Sequence, residues 1–158
     1  MIHIVYGSAS DKNYFKSGTE FLKENNLEFK EFIISSHRNR IGLNKYIDEL
    51  NTGKIECDAI IGVAGLSAVM PGIIAASTTI PVIAVPVPKK YLSGIDSLIS
   101  ILQSPGGAPV VSVGLHEKAP LNAAMFAQRI LRKALKKSKT KIQKLKIKCS
   151  KVRKFKVK

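Results

Sequence analysis

The chain has 158 residues, 45% of them hydrophobic and 23% charged, and carries a formal net charge of +15. That profile predicts one soluble globular domain with a real core, and no apolar run is long enough to span a bilayer as a helix. The charge is not spread evenly: up to Leu131 there are 12 Lys and Arg against 11 Asp and Glu, whereas Arg132 to Lys158 hold 14 and no acid, so a near-neutral domain carries a basic tail.

The N-terminal stretch MIHIVYGSASD has no basic leader or cleavage site and reads as a first strand, IHIVYG. KNYFKSGTEFLKENN follows as a segment of helical length, with Phe15, Thr19, Phe21 or Leu22, and Asn25 spaced for one buried stripe. EFKEFII is the second strand and NRIGLNKYIDEL the next helix. DAIIGVAG, PVIAVPV and PVVSVGL complete five β-branched runs, and these last three are almost continuously apolar, as strands covered on both faces are. A last helix is expected from about Pro120 or Asn122, turning Ala124, Phe126, Ile130 and Leu131 inward. Strands alternating with helices predict βαβ units, a parallel sheet of about five strands and an α/β three-layer sandwich.

In open α/β sheets the loops after the strands converge on one edge and bind ligands there. Each strand here is followed by a polar cluster: GSASD, SSHR, AGLSAVMPG, PVPKKYLSG and GLHEKAPLN. Any one of them, such as Ser10, Asp11 or Ser35, reads equally well as a helix cap; five on one edge favour a site. In Gly7-Ser8-Ala9-Ser10-Asp11 a glycine permits close backbone approach, hydroxyls can donate, and the next helix offers free N–H groups to an anion. Asp11 would repel a phosphate placed too near, which suits it to capping or to accepting from sugar hydroxyls. His37 can exchange a proton near neutral pH, and Arg38 is a permanent fork of donors for phosphate or carboxylate.

Taken in order, GSASD, SSHR, AGLSAVMPGIIAASTTIPVIAVPV, LSGIDSLISILQSPGGAPVVSVGL and NAAMFAQRIL resemble the catalytic subunit of phosphoribosylaminoimidazole carboxylase, the PurE family, over about residues 2–131. The resemblance implies a flavodoxin-like domain over 1–131, with 132–158 as a lysine-rich helical extension or disordered tail. It also implies a homo-octamer, a role in purine biosynthesis, and a ribonucleotide substrate handled without a cofactor or metal. Class I members are mutases that move a carboxyl group of 5-(carboxyamino)imidazole ribonucleotide from the exocyclic nitrogen to ring carbon 4. By motif, Ser8 and Asp11 would hold the ribonucleotide, with Ser10 in the same loop. Arg38 would take the phosphate, Ser35 would support the ring, and His37 would be the acid–base residue. Ala64 and Gly65 would let backbone approach the imidazole and the carboxylate. Ser67 falls at a class II-like serine. Ala68, Val69 and Met70 would help form a tight apolar pocket closed to water.

Three departures from the family pattern stand out. SAHR is SSHR here, with Ser36 for Ala; QMP is QSP, with Ser104 for Met; and with GGAAHLPG framed on Pro71-Gly72, Val69 stands where a His is expected. Class II members, which carboxylate aminoimidazole ribonucleotide directly with carbon dioxide, also lack that His but carry AGRSN, and Leu66 replaces their Arg. Direct carboxylation and a diverged, non-catalytic ribonucleotide-binding relative are therefore the alternatives.

The remaining features read as structural. His3 begins a strand and His116 sits in a loop that could rim the pocket; neither is taken as catalytic. Asp96 is expected to cap a helix, and Lys89 and Lys90 either attract an anionic substrate or are simply solvated. Cys57 and Cys149 lie far apart, which suits free thiols in a reducing cytoplasm. Specific nucleic-acid recognition by the tail is not expected, because Lys outnumbers Arg and Phe155 is its single aromatic. Truncation after Lys137 is expected to leave catalysis intact.

Overall fold

The computed structural model describes residues 1–90 and 92–132; the basic tail and Cys149 lie outside the described residues. Five strands, β1 (Ile2–Tyr6), β2 (Phe29–Ile33), β3 (Ala59–Gly65), β4 (Val82–Val87) and β5 (Val110–Ser112), form one sheet in the order β2-β1-β3-β4-β5. Every pairing is parallel; Ile2 aligns with Phe29 on one side and with Ala59 on the other. The order is flavodoxin-like, in the parallel sheet of about five strands that the sequence predicts.

The helices are α1 (Asp11–Tyr14), α2 (Lys16–Glu24), α3 (Arg40–Asn51), α4 (Met70–Ser77) and α5 (Ile95–Leu102), with a short 3₁₀ turn at Leu92–Gly94 and a closing helix over residues 119–132. Alternation of side chains along the strands divides the interior into two cores, one on each face of the sheet. Ile4, Tyr6, Ile61, Val63 and Val85 meet Phe15 and Leu22 of the first helical segments and Ala123, Ala124 and Ala127 of the closing helix. Val5, Ile60 and Ala84 meet Leu43, Tyr46 and Ile47 of α3 and Met70 and Ile74 of α4. At roughly 25 cal/mol per Å² of apolar surface buried, each large side chain sealed here contributes about 1.5–3 kcal/mol. Among the described residues no helix is long and apolar enough to cross a membrane.

Three local expectations are revised. The first helical segment is broken at Phe15, which is fully buried between α1 and α2; Asn25 is exposed and folds its Nδ2 back onto the carbonyl of Phe21 at 2.9 Å. Phe126 is 38% exposed, because helical spacing puts Ala119, Ala123, Ala127 and Ile130 on the inward stripe and carries position 126 to its flank. β5 spans three residues and is an edge strand, so Val111 is open to solvent instead of being covered on both faces.

α5 starts with Gly94 at φ 90 and has no side-chain cap; Asp96 lies in its first turn, where a negative charge favours the positive end of the helix dipole. The same helix leaves Ile95, Ile99 and Leu102 exposed at helical spacing, on one face.

Candidate functional site

The loops after β1, β2 and β3, with Lys89 after β4, enclose a cleft of about 750 Å³ at the carboxyl edge of the sheet. β1 lies at the centre of the convergence, between β2 and β3. Gly7 N donates to Val63 O at 2.9 Å and Ile34 N to Tyr6 O at 2.9 Å, so the three loops leave the sheet side by side.

The stretch Ser35-Ser36-His37-Arg38 is a turn, not a helix cap. Asn39 caps α3, its Oδ1 accepting from Gly42 N at 2.9 Å, which releases the preceding four side chains from capping. Ser35 Oγ accepts from Arg38 N at 3.2 Å and Asn39 N donates to Ser35 O at 2.9 Å, closing the turn. All four residues line the cleft. His37 Nε2 donates to Ser67 O at 3.2 Å; a carbonyl only accepts, so Nε2 carries a proton and Nδ1 is the nitrogen whose proton can come and go.

The loop after β1 supplies Ser8, Ser10 and Asp11. Ser8 Oγ and Ser10 Oγ are 2.8 Å apart, and Asp11, at the start of α1, has a side chain only 3% exposed. Lys89 Nζ lies 2.6 Å from Asp11 Oδ1 and donates to Ser10 Oγ at 3.1 Å. Oδ1 is itself buried, and the Lys89 ammonium is its charge partner.

The β3 loop supplies Ala64, Gly65, Leu66, Ser67 and Met70 to the lining. Two glycines set this corner. A Cβ on Gly62 would stand 2.9 Å from Pro71 Cγ, so its absence lets the first turn of α4 press onto β3; one on Gly65 would stand 2.8 Å from Lys89 Cε, so its absence gives the lysine stem its path. Leu66 adopts φ 58, a left-handed conformation that costs an ordinary residue about 1–2 kcal/mol, and is 51% exposed.

Of the residues anticipated from sequence, Ser8, Ser10, Asp11, Ser35, His37, Arg38, Ala64, Gly65 and Ser67 come together in the cleft. Ala68 does not: it is 1% exposed and packs in the core beneath α4. Val69 is the N-cap residue of α4 and is outside the lining. His116 is outside it too; the fifth loop instead packs on α1, with Tyr14 Oη donating to His116 O at 2.9 Å. The expected seal against water is also missing from the single chain, in which His37, Arg38, Leu66 and Ser67 are exposed. From the sequence, Lys89 fits substrate attraction and solvation equally; its position two residues beyond the end of β4, on the edge where the other loops converge, is the signal that places it at the cleft.

His3 is fully buried away from this edge, its Nδ1 3.0 Å from Tyr46 Oη, and its pKa is lowered to about 4, by burial first and by the charges of Lys30 and the N-terminus next. Burial also pushes the Cys57 thiol up to about 11, so it is a poor nucleophile.

A family model described as AIR carboxylase matches residues 1–151. The N5-carboxyaminoimidazole ribonucleotide mutase of Saccharolobus solfataricus is 38% identical over 143 residues, covering 90% of this chain and 88% of that protein. The phosphoribosylaminoimidazole carboxylase of Candida albicans is 40% identical over 131 residues, which cover 83% of this chain but 22% of that protein. The crystal structure of Treponema denticola PurE superposes with a TM-score of 0.67 at 23% identity, covering 95% of this chain and 96% of that one, a likeness of fold. From its loops, its sheet order and these relatives, the chain belongs to the AIR carboxylase family.

Proposed function

We propose that this chain is a 5-(carboxyamino)imidazole ribonucleotide mutase of purine biosynthesis, an isomerase that converts its substrate into 5-amino-1-(5-phospho-D-ribosyl)imidazole-4-carboxylate. The observation that carries the reading is His37 in a cleft that also holds Arg38, Ser8, Ser10 and Asp11, in a chain similar over nearly its full length to a mutase.

The chemistry needs little more than one proton carrier. When the bond between the exocyclic nitrogen and the carboxyl carbon breaks, carbon dioxide leaves and the electron pair stays on nitrogen, which takes a proton from the His37 imidazolium. Ring carbon 4 then adds to the carbon dioxide, and the neutral imidazole removes the proton of carbon 4. Atoms and charge balance with His37 returned to its starting state. General acid–base help of this kind is worth about 10²–10⁴-fold. Arg38 takes the phosphate, Ser8 and Ser10 donate to the ribonucleotide, and Asp11 accepts from its sugar hydroxyls. Ser35 and Ser67 support the ring, while Ala64 and Gly65 allow backbone to approach it.

Released carbon dioxide has to be kept from bulk water between the two steps. We propose that neighbouring subunits of a homo-octamer complete the enclosure. The apolar face of α5, where Ile95, Ile99 and Leu102 are exposed among the described residues, supports burial in an assembly. A cytoplasmic location is part of the same reading and is supported by Cys57, a free thiol among the described residues.

Direct carboxylation is the second reading: Val69 stands where the mutase pattern has a His, and His37 is the one imidazole lining the cleft among the described residues. Supplying the purified protein either with 5-(carboxyamino)imidazole ribonucleotide or with aminoimidazole ribonucleotide plus bicarbonate separates the two. The mutase forms product from the first; product from the second alone overturns the assignment.

A further inference from the structure

Lys89 reaches the loop after β1 by lying over Gly65, and its ammonium contacts both Asp11 Oδ1, at 2.6 Å, and Ser10 Oγ, at 3.1 Å. An ammonium has three donors, and Lys89 itself lines the cleft. The Asp11 side chain is 3% exposed. An uncompensated carboxylate at that depth would repel a phosphate brought into the same loop, since water screens little there. Ser10 and Ser8, linked to Lys89 in one hydrogen-bonded line, are the donors such a phosphate ester would use.

We propose that Lys89 is the counter-ion that makes Asp11 compatible with an anionic ligand. It neutralises the carboxylate and holds Ser10 in place. With the buried Oδ1 covered by the ammonium, the neutralised carboxylate tolerates a phosphate beside it. The ligand class is a ribose phosphate, and the role rests on the reading of this cleft as a ribonucleotide site. Lys89 is a positioning residue in this account: it acts through Asp11 and not on the reacting atoms.

The test is a double-mutant cycle on the full chain. Calorimetric affinity for the product ribonucleotide, and separately for inorganic phosphate, is measured for wild type, K89M, K89R, D11N and K89M/D11N. K89M is expected to weaken the ribonucleotide about tenfold or more, raising KM more than it lowers kcat, and K89R to restore most of the loss. In the D11N background removal of Lys89 is expected to cost about threefold or less, because no carboxylate is left to neutralise. Should K89M fail to fold while K89M/D11N folds, the counter-ion role is supported by stability instead. An equal loss in both backgrounds, or no loss in K89M, overturns it. Wild type that binds phosphate in a Lys89-dependent way but turns over neither substrate sinks the mutase reading and spares Lys89; turnover with an unchanged KM in K89M does the reverse. Wild type that binds neither probe removes both.

Discussion

His37 Nε2 lies 3.2 Å from the carbonyl oxygen of Ser67, and this contact ties the loop after β2 to the loop after β3. The bond fixes both the tilt of the ring and the tautomer, and leaves Nδ1 as the atom that takes a proton. Replacing His37 by Asn keeps a polar side chain of similar width but removes the titratable ring. Turnover is expected to fall about 10²–10⁴-fold while affinity for the product ribonucleotide changes little. Single-turnover kinetics beside calorimetry measure both; a variant that keeps wild-type turnover would remove His37 from its role.

Arg38 is exposed at the rim and donates only its backbone N–H within the protein among the bonds of the described residues. Its guanidinium is therefore available to a phosphate. Arg38→Met is expected to raise KM about tenfold to a hundredfold, the worth of a charged hydrogen bond, with a smaller change in kcat. Arg38→Lys should recover part of the loss, since Lys supplies the charge without the fork. Steady-state kinetics decide, and an unchanged KM in Arg38→Met would place the phosphate elsewhere.

His3 makes stability depend on pH. Its folded pKa is about 4, whereas an unfolded imidazole titrates near 6.5. Between those values the unfolded state binds more protons, so the contribution is whole above about pH 6.5 and is lost as pH falls toward 4. The full gap corresponds to about 3–4 kcal/mol. Urea unfolding of wild type and His3→Gln at pH 7 and pH 4.5 tests this: the variant starts less stable but should lose less on acidification. Equal losses would assign the acid sensitivity to other groups.

Leu66 holds φ 58 beside the cleft. Leu66→Gly relieves the left-handed strain, worth about 1–2 kcal/mol, and gives back about 0.5–1 kcal/mol through the greater freedom of glycine in the unfolded chain. A net gain of about 0.5–1 kcal/mol in chemical denaturation is expected, and a net loss would mean that the half-exposed side chain packs more favourably than its exposure suggests.

The sheet and the site differ in how far they can be read along the chain. Short, continuous β-branched runs separate β3 and β4, whose residues are buried almost throughout, from the helices between strands, and the loop rule then places GSASD, SSHR and AGLS on one edge. What stays out of reach depends on contacts made only after folding. Phe126 and Ala127 are neighbours in sequence, yet only the packing angle of the closing helix decides that the alanine faces the core. The pairing of Lys89 with Asp11 joins residues from two different strand ends, so no local pattern announces it. The break at Phe15 has the same origin: a helix-length segment bends there because the aromatic ring finds Tyr6, at a ring separation of 6.3 Å, beneath the sheet edge.

The most direct measurement of the central claim follows the carboxyl carbon itself. 5-(Carboxyamino)imidazole ribonucleotide labelled with carbon-13 in its carboxyl group is converted by the full chain in buffer containing excess unlabelled bicarbonate, and the product is analysed by mass spectrometry. Transfer within one enclosed site predicts a product that keeps most of the label. A product carrying the isotopic composition of the buffer would contradict the account, because the carboxyl group would then have come from solution.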